Sequence, residues 1–243
     1  MDLNTTETAL LLALLALWAV LLFGGFALGA ADEDNMRRMP RWTRLASSLT
    51  LVVAAWSWFI MARGSDFETL SLFIATGMTL GFIGDLFMAG LMPVREPVLG
   101  GMTAFGLGHI AYIAGMLSYA NAHHLTNRST QWGALAVWLV VGVIGWYIVV
   151  YARARNRSIL HVMALPYALL LASTAGVATG LALQDDTFML MAIGAALFLL
   201  SDLILAAQLF NGLRFPFISD VVWLMYGPGQ MLIVYAAAVA LIG

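Results

Sequence analysis

The sequence contains no cysteine and no lysine, and charged residues make up only 10% of its 243 positions. The absence of cysteine excludes disulfide bonds, thiolate nucleophiles and cysteine-ligated metals. Soluble domains carry about 25% charged residues, whereas 62% of this chain is hydrophobic. Because so apolar a chain cannot bury its surface against itself alone, the sequence predicts an integral membrane protein.

Eight apolar segments are long enough to cross a bilayer, which takes about 20 residues of α-helix. They cover residues 8–30, 45–62, 70–91, 98–120, 131–151, 158–183, 187–210 and 217–242. The breaks are short, which leaves no room for a soluble domain. The first segment is too long for the apolar part of a signal peptide, so we expect an uncleaved helix. The sequence therefore predicts an all-α bundle of eight transmembrane helices in one domain, 1–243.

The arginines divide unequally between the two sides of this predicted bundle. Nine follow the first, third, fifth and seventh segments: Arg37, Arg38, Arg41, Arg44, Arg95, Arg153, Arg155, Arg157 and Arg214. The opposite side holds only Arg63 and Arg128. Because arginine-rich loops stay in the cytoplasm, we expect a multi-pass protein of the cell membrane with both termini outside. No arginine patch has the density that nucleic acid binding requires.

Two short patterns occur once in each half of the chain. Ile83-Gly84-Asp85-Leu86 in the third segment is similar to Leu200-Ser201-Asp202-Leu203 in the seventh. A glycine-rich stretch precedes His109 in the fourth segment and Gln230 in the eighth. The pattern indicates two parallel four-helix repeats, but the identities are few enough that chance similarity stays an alternative.

Asp85, Asp202 and His109 lie inside predicted spans. An ionisable residue there costs about 2.5–3.5 kcal/mol, which makes each one a functional candidate. Asp85 continues a stripe of small residues, Gly77 and Gly81, typical of close helix packing. Both aspartates lie about 10 Å from the cytoplasmic ends of their predicted spans. We therefore expect one cavity open to the cytoplasmic side; purely structural hydrogen bonding is the alternative for all three.

The motifs around these residues resemble a known family. Gly84–Leu86 followed by Phe105–Tyr112 resembles the first signature of the lysoplasmalogenase-like membrane hydrolases. Leu200–Ala206 followed by Tyr226 and Gln230–Ile233 resembles the second. The chain departs from the pattern in the Gly-Pro-Gly that precedes Gln230 and in its lack of lysine, which bears on the substrate more than on the fold.

The resemblance implies hydrolysis of the vinyl-ether bond of lysoplasmalogens, with a membrane lysophospholipid as substrate. The products are a fatty aldehyde and a glycerophospho head group, and Asp85 and Asp202 are implied as the catalytic pair. Vinyl-ether cleavage needs a proton donor for carbon, an anion beside the resulting cation and a base for water. Two nearby carboxyl groups, one protonated and one ionised, supply these without a metal or an organic cofactor.

Further polar residues are expected to assist this pair. Those expected to position water or the leaving oxygen are His109, Tyr112, Tyr226 and Gln230. Ser201 lies beside Asp202 and could stabilise its anion, which favours Asp85 as the protonated acid.

Two other functions fit part of the same pattern. A small proton-coupled transporter would also use intramembrane aspartates and a repeated architecture. A zinc hydrolase would use His109, His161 and an aspartate, but catalytic zinc usually takes three protein ligands, and the spans hold only these two histidines.

The arginine distribution generates a first prediction, that the C-terminus lies outside the cell. A reporter that is active only in the cytoplasm should be silent when fused after Gly243, and one active only outside should report. Reporters in the break around Arg95 should give the reverse result. A cytoplasmic C-terminus would overturn the orientation of every helix.

Overall fold

The computed structural model describes residues 4–152 and 158–242, with side chains as far as Ala236. These residues form eight long helices and no strand: α1 Thr5–Leu28, α2 Arg41–Met61, α3 Glu68–Met88, α4 Pro97–Ala122, α5 Arg128–Tyr151, α6 Ile159–Ala182, α7 Asp186–Asn211 and α8 Ile218–Ile242. The first seven are long and apolar enough to cross a membrane, and α8 has 25 residues. The predicted all-α transmembrane bundle is confirmed, with boundaries within four residues of the predicted ones. Arg153, Arg155, Arg157 and Gly243, on which the orientation argument also draws, lie outside the described residues.

Glycines end α3 and α7. Gly90 and Gly212 adopt left-handed conformations, with φ of 69° and 64°. After each glycine, a backbone N–H returns to a carbonyl of the last helical turn, Leu91 to Leu86 at 3.0 Å and Leu213 to Ala207 at 3.1 Å. This closure stops α3 at Met88, three residues before the predicted end. By contrast, α6 and α8 continue through Pro166 and Pro228.

Six of the helices form a closed ring. In order around the ring, α2, α3, α4, α6, α7 and α8 each pack against the next, and α8 packs against α2. Outside the ring, α1 packs on α2 and α5 packs on α6. Only 17% of the α1 span and 11% of the α5 span are buried, so most of their surface is left to face lipid. The ring therefore supplies the enclosed space in which a site can form.

Three loops and two helix starts meet at one end of the ring, here called the arginine-rich end. It holds Arg37, Arg38, Arg41, Arg44, Arg95 and Arg214. Asp220 at the start of α8 is fully buried and accepts hydrogen bonds from the backbone N–H groups of Arg38 at 2.5 Å and Met39 at 3.0 Å. The Arg41 side chain donates to the carbonyl of Ala89 at 3.2 Å. Asp220 thus anchors the α1–α2 loop on α8 and serves the fold.

Paired glycines allow two close helix crossings. A methyl group added to Gly77 of α3 would lie 2.9 Å from the carbonyl oxygen of Gly108 in α4. One added to Gly194 of α7 would lie 2.6 Å from the carbonyl oxygen of Gly229 in α8. Each crossing stands eight residues before the aspartate of its helix. The two halves therefore use the same crossing, while their origin by duplication stays a prediction.

The α7–α8 crossing generates a second prediction. Gly194→Ala should lower the stability of the purified protein by about 1–3 kcal/mol, because the added methyl group forces the helices apart. Thermal unfolding in detergent measures the change. Gly133→Ala in α5 is the matched control, since a methyl group there meets nothing within 4 Å. Equal melting temperatures for the two variants would contradict the close crossing.

Candidate active site

The carboxyl group of Asp85 is held by hydroxyl donors. Asp85 lies in the last turn of α3 and is only 4% exposed. Its Oδ2 accepts hydrogen bonds from Ser48 Oγ of α2 at 2.5 Å and from Tyr226 OH of α8 at 3.0 Å. No cationic nitrogen lies within ion-pair distance of it in the described part of the chain. The carboxyl group is therefore positioned by neutral groups from two other helices.

A chain of hydrogen bonds leads from Tyr226 deeper into the bundle. Gln230 Nε2 donates to Tyr226 OH at 3.4 Å, and Tyr112 OH donates to Gln230 Oε1 at 2.9 Å. Gly81 makes room for this chain, because a methyl group there would lie 2.9 Å from Gln230 Nε2. The structure thus connects Tyr112, Gln230 and Tyr226 to Asp85 in one network.

Asp202 has a different environment on the opposite side of the ring. Its side chain is partly exposed, and its Oδ2 accepts a hydrogen bond from Tyr167 OH of α6. Ser201 Oγ lies 3.3 Å from Asp202 Oδ1 but donates to the carbonyl of Phe198 at 2.7 Å. The single hydroxyl proton of Ser201 is thus directed mainly at the backbone. Ser201 is a weaker partner for Asp202 than the sequence alone indicates.

Both aspartates line one cavity of about 230 Å³. The cavity is bounded by α2, α3, α4, α7 and α8, with Arg44, Phe105 and Tyr226 among its lining residues. Since a water molecule occupies about 30 Å³ in the liquid, the space holds several waters or a glycerol-sized group. The aspartates were expected at similar distances from the cytoplasmic ends of their helices, and this expectation is wrong. Asp85 lies three residues before the end of α3, and Asp202 lies nine residues before the end of α7.

Two further pockets adjoin this cavity from different sides. An almost wholly apolar pocket shares Asp202 and runs between α4, α5, α6 and α7, with Met102, Val150 and Leu171 in its wall. The other pocket, here called the basic pocket, shares Asp85 and is lined by Trp223 and by three arginines, Arg37, Arg41 and Arg44. The two carboxyl groups therefore stand between a region suited to hydrocarbon and a region suited to an anion.

His109 is not among the residues that line these three pockets. Its ring is 1% exposed and packs against Phe198 with centroids 4.5 Å apart, and its Nδ1 lies 2.9 Å from Thr174 Oγ1. This placement favours the structural alternative for His109. His161 pairs with Ser158 at the start of α6. Within the described ranges, no three His, Asp or Glu side chains are grouped as metal ligands.

The sequence patterns missed two residues of this site. Ser48 and Tyr167 each donate a hydroxyl to one aspartate, yet neither lies in a motif that singled it out. Their common feature is a hydroxyl on the helix that immediately precedes the aspartate-bearing helix, α2 before α3 and α6 before α7. That correspondence is visible only once the order of helix packing is known.

Fold and site together define a multi-pass helical membrane protein with a pair of carboxyl groups on one cavity. The family model of the YhhN family matches residues 40–237, and the chain belongs to this family. The YhhN family is the lysoplasmalogenase family, in agreement with the resemblance that the motifs carry. No curated protein and no solved structure matches the chain.

Proposed function

We propose that this protein hydrolyses the vinyl-ether bond of lysoplasmalogen-type lipids inside the membrane, using Asp85 and Asp202. One observation carries the proposal: the two carboxyl groups line a single cavity that lies between an apolar and a basic pocket. A single-chain ether lipid has the same order of parts, with hydrocarbon, vinyl ether and glycerophospho head group in sequence. Family membership supports the class of reaction.

The pockets suggest how such a lipid would lie. Its hydrocarbon chain would enter the apolar pocket beside Asp202, and its glycerol would lie toward Asp85. In a vinyl ether, the carbon that receives the proton is the one farther from the oxygen, on the chain side. Asp202 is therefore the better placed proton donor, and Asp85 the better placed base. This assignment reverses the one that Ser201 favours from sequence.

The reaction then proceeds in three steps. Asp202 protonates the chain-side carbon of the double bond, which leaves an oxocarbenium ion on the adjacent carbon and oxygen. Water adds to that carbon as Asp85 takes its proton, giving a hemiacetal. Collapse of the hemiacetal releases the fatty aldehyde and the glycerol hydroxyl, and the proton held by Asp85 returns through water to Asp202. One water molecule is consumed, and the residues need no added cofactor for these steps.

The hydroxyl partners of the aspartates suit these roles. Ser48 and Tyr226 donate to Asp85 and position the carboxyl group that would take the proton of the attacking water. Asp202 has Tyr167 as its one donor from another helix and borders the apolar pocket. The assignment of acid and base therefore rests on the order of the pockets along the cavity.

The transporter alternative has less support. A carrier needs a path from the aspartates to the far end of the bundle, away from the arginine-rich end. Beyond the Tyr112–Gln230 network, the interior holds large apolar side chains that are at most 2% exposed, among them Ile74, Met78 and Met116. A path blocked by these side chains favours an enzyme over a carrier.

The proposed pair generates a third prediction. Asp85→Asn and Asp202→Asn should each lower fatty-aldehyde release from an alkenyl lysophospholipid by at least about 100-fold, since asparagine cannot exchange a proton and general acid–base catalysis contributes about 10²–10⁴. Purified variants that elute and melt like the parent are assayed for aldehyde. Asp66→Asn, an exposed residue in the α2–α3 loop, is the control. Full activity in either cavity variant would refute the mechanism.

The division of roles generates a fourth prediction, tested with azide. Azide needs no base in order to attack an oxocarbenium ion, so it should restore substrate consumption in Asp85→Asn and give an azido ether visible by mass spectrometry. Asp202→Asn forms no cation at an appreciable rate and should not respond. Rescue of Asp202→Asn alone would reverse the assignment, with Asp85 as the acid.

A further inference from the structure

Arg44 is a cation at the cavity that forms no ion pair within 4 Å among the described residues. It lies in the first turns of α2 and lines both the central cavity and the basic pocket, as does Asp85. Its Nε is buried and has no hydrogen-bond partner among the described residues. Its guanidinium group stacks over the ring of Trp223 at 5.4 Å. An aromatic face holds the group in place without using its N–H donors.

The other two arginines of the pocket are already engaged. Arg37 lies 3.9 Å from Asp32, and its side chain is 43% exposed. Arg41 donates to the carbonyl of Ala89. The only carboxylate in the wall of the basic pocket is Asp85, and no ion pair joins it to Arg44 in the described part of the chain. The pocket therefore has an excess of positive charge, with Arg44 as its least satisfied donor.

We propose that Arg44, assisted by Arg37 and Arg41, binds the phosphate of the substrate head group. This inference rests on the proposed function and names the subsite that would select a phosphorylated lipid. Guanidinium groups bind phosphate oxygens through paired N–H donors. The phosphate sits on the Asp85 side of the cavity, so the hydrocarbon extends toward Asp202 and the apolar pocket. Arg44 thereby fixes the direction in which the vinyl ether crosses the two carboxyl groups.

A matched pair of substrates separates this role from a direct effect of Arg44 on Asp85. One is a 1-alkenyl-glycerophosphoethanolamine, and the other is the corresponding 1-alkenyl-glycerol, which has the same vinyl ether but no phosphate. Arg44→Gln should lower kcat/KM for the phospholipid by about 10-fold or more, because a hydrogen bond to a charged group is lost. For the alkenyl-glycerol, kcat/KM should change less than twofold. Equal losses of kcat/KM for both substrates would overturn the proposal, because they would show that Arg44 acts on Asp85 and not on the phosphate.

Arg95→Gln is the control for general attraction to membrane surfaces. Arg95 is exposed at the same arginine-rich end and lines neither the cavity nor the basic pocket. This variant should behave like the parent with both substrates. A loss in Arg95→Gln as large as that in Arg44→Gln would show that surface charge, and not a subsite, accounts for the effect.

Binding of stable analogues tests the subsite apart from hydrolysis. A 1-alkyl-glycerophosphoethanolamine should bind the parent at least about tenfold more tightly than the 1-alkyl-glycerol, and Arg44→Gln should remove that difference. Inorganic phosphate and a diacyl phospholipid, tested as competitors, should displace the single-chain analogue poorly. Strong displacement by inorganic phosphate or by the diacyl phospholipid would contradict the proposed ligand. It would identify that competitor as the source of the bound phosphate. Phosphate-dependent binding without any aldehyde release would refute the proposed reaction but support the phosphate subsite. Hydrolysis at the same rate with and without the phosphate group would support the reaction and refute the subsite.

Discussion

Carboxyl groups inside a bundle of apolar helices must obtain their hydrogen bonds from the protein itself, because the surrounding hydrocarbon offers none. In this structure the donors are hydroxyl groups on neighbouring helices: Ser48 and Tyr226 for Asp85, and Tyr167 for Asp202. A hydroxyl satisfies a carboxyl group in either protonation state, since it can donate or accept. An arginine in the same place would hold the carboxylate ionised. The choice of hydroxyl partners therefore leaves both groups able to exchange protons.

Such contacts require the helix backbones to approach closely at defined positions. Glycine pairs achieve this at the α3–α4 and α7–α8 crossings, and Gly81 clears the space into which Gln230 reaches. Without a hydrophobic driving force between helices in lipid, small residues at contacts contribute much of the association through close packing. The same glycines that join the helices therefore also set the positions of the polar side chains. Packing and site geometry in this bundle depend on one set of residues.

The sequence was sufficient for the architecture and for part of the site. Long apolar segments with short breaks predict the eight helices, because a bilayer constrains both their length and their composition. Asp85 and Asp202 stood out because ionisable residues are rare in such spans, whereas Tyr112, Tyr226 and Gln230 were named through the family motifs. Ser48 and Tyr167 were missed because they lie outside those motifs, and only the packing order of the helices shows that each faces an aspartate. The end of α3 was misplaced because Gly90 acts through its backbone conformation, which hydrophobicity does not reveal.

The two halves of the bundle share an arrangement of helices but differ in the side chains around each aspartate. Each half contributes a glycine crossing, an aspartate eight residues further on and a hydroxyl donor from the preceding helix. Between those matched elements, the Asp85 side carries Arg44 and a basic pocket, while the Asp202 side opens to an apolar pocket. A symmetrical pair of carboxyl groups could not distinguish the two ends of a vinyl ether, since either group could meet either carbon. In the proposed reaction, the unequal pockets would remove that ambiguity, because they would fix the direction of a lipid that has a charged end and a hydrocarbon end. Directional binding of such a lipid would then determine which carboxyl group meets the carbon and which meets the water.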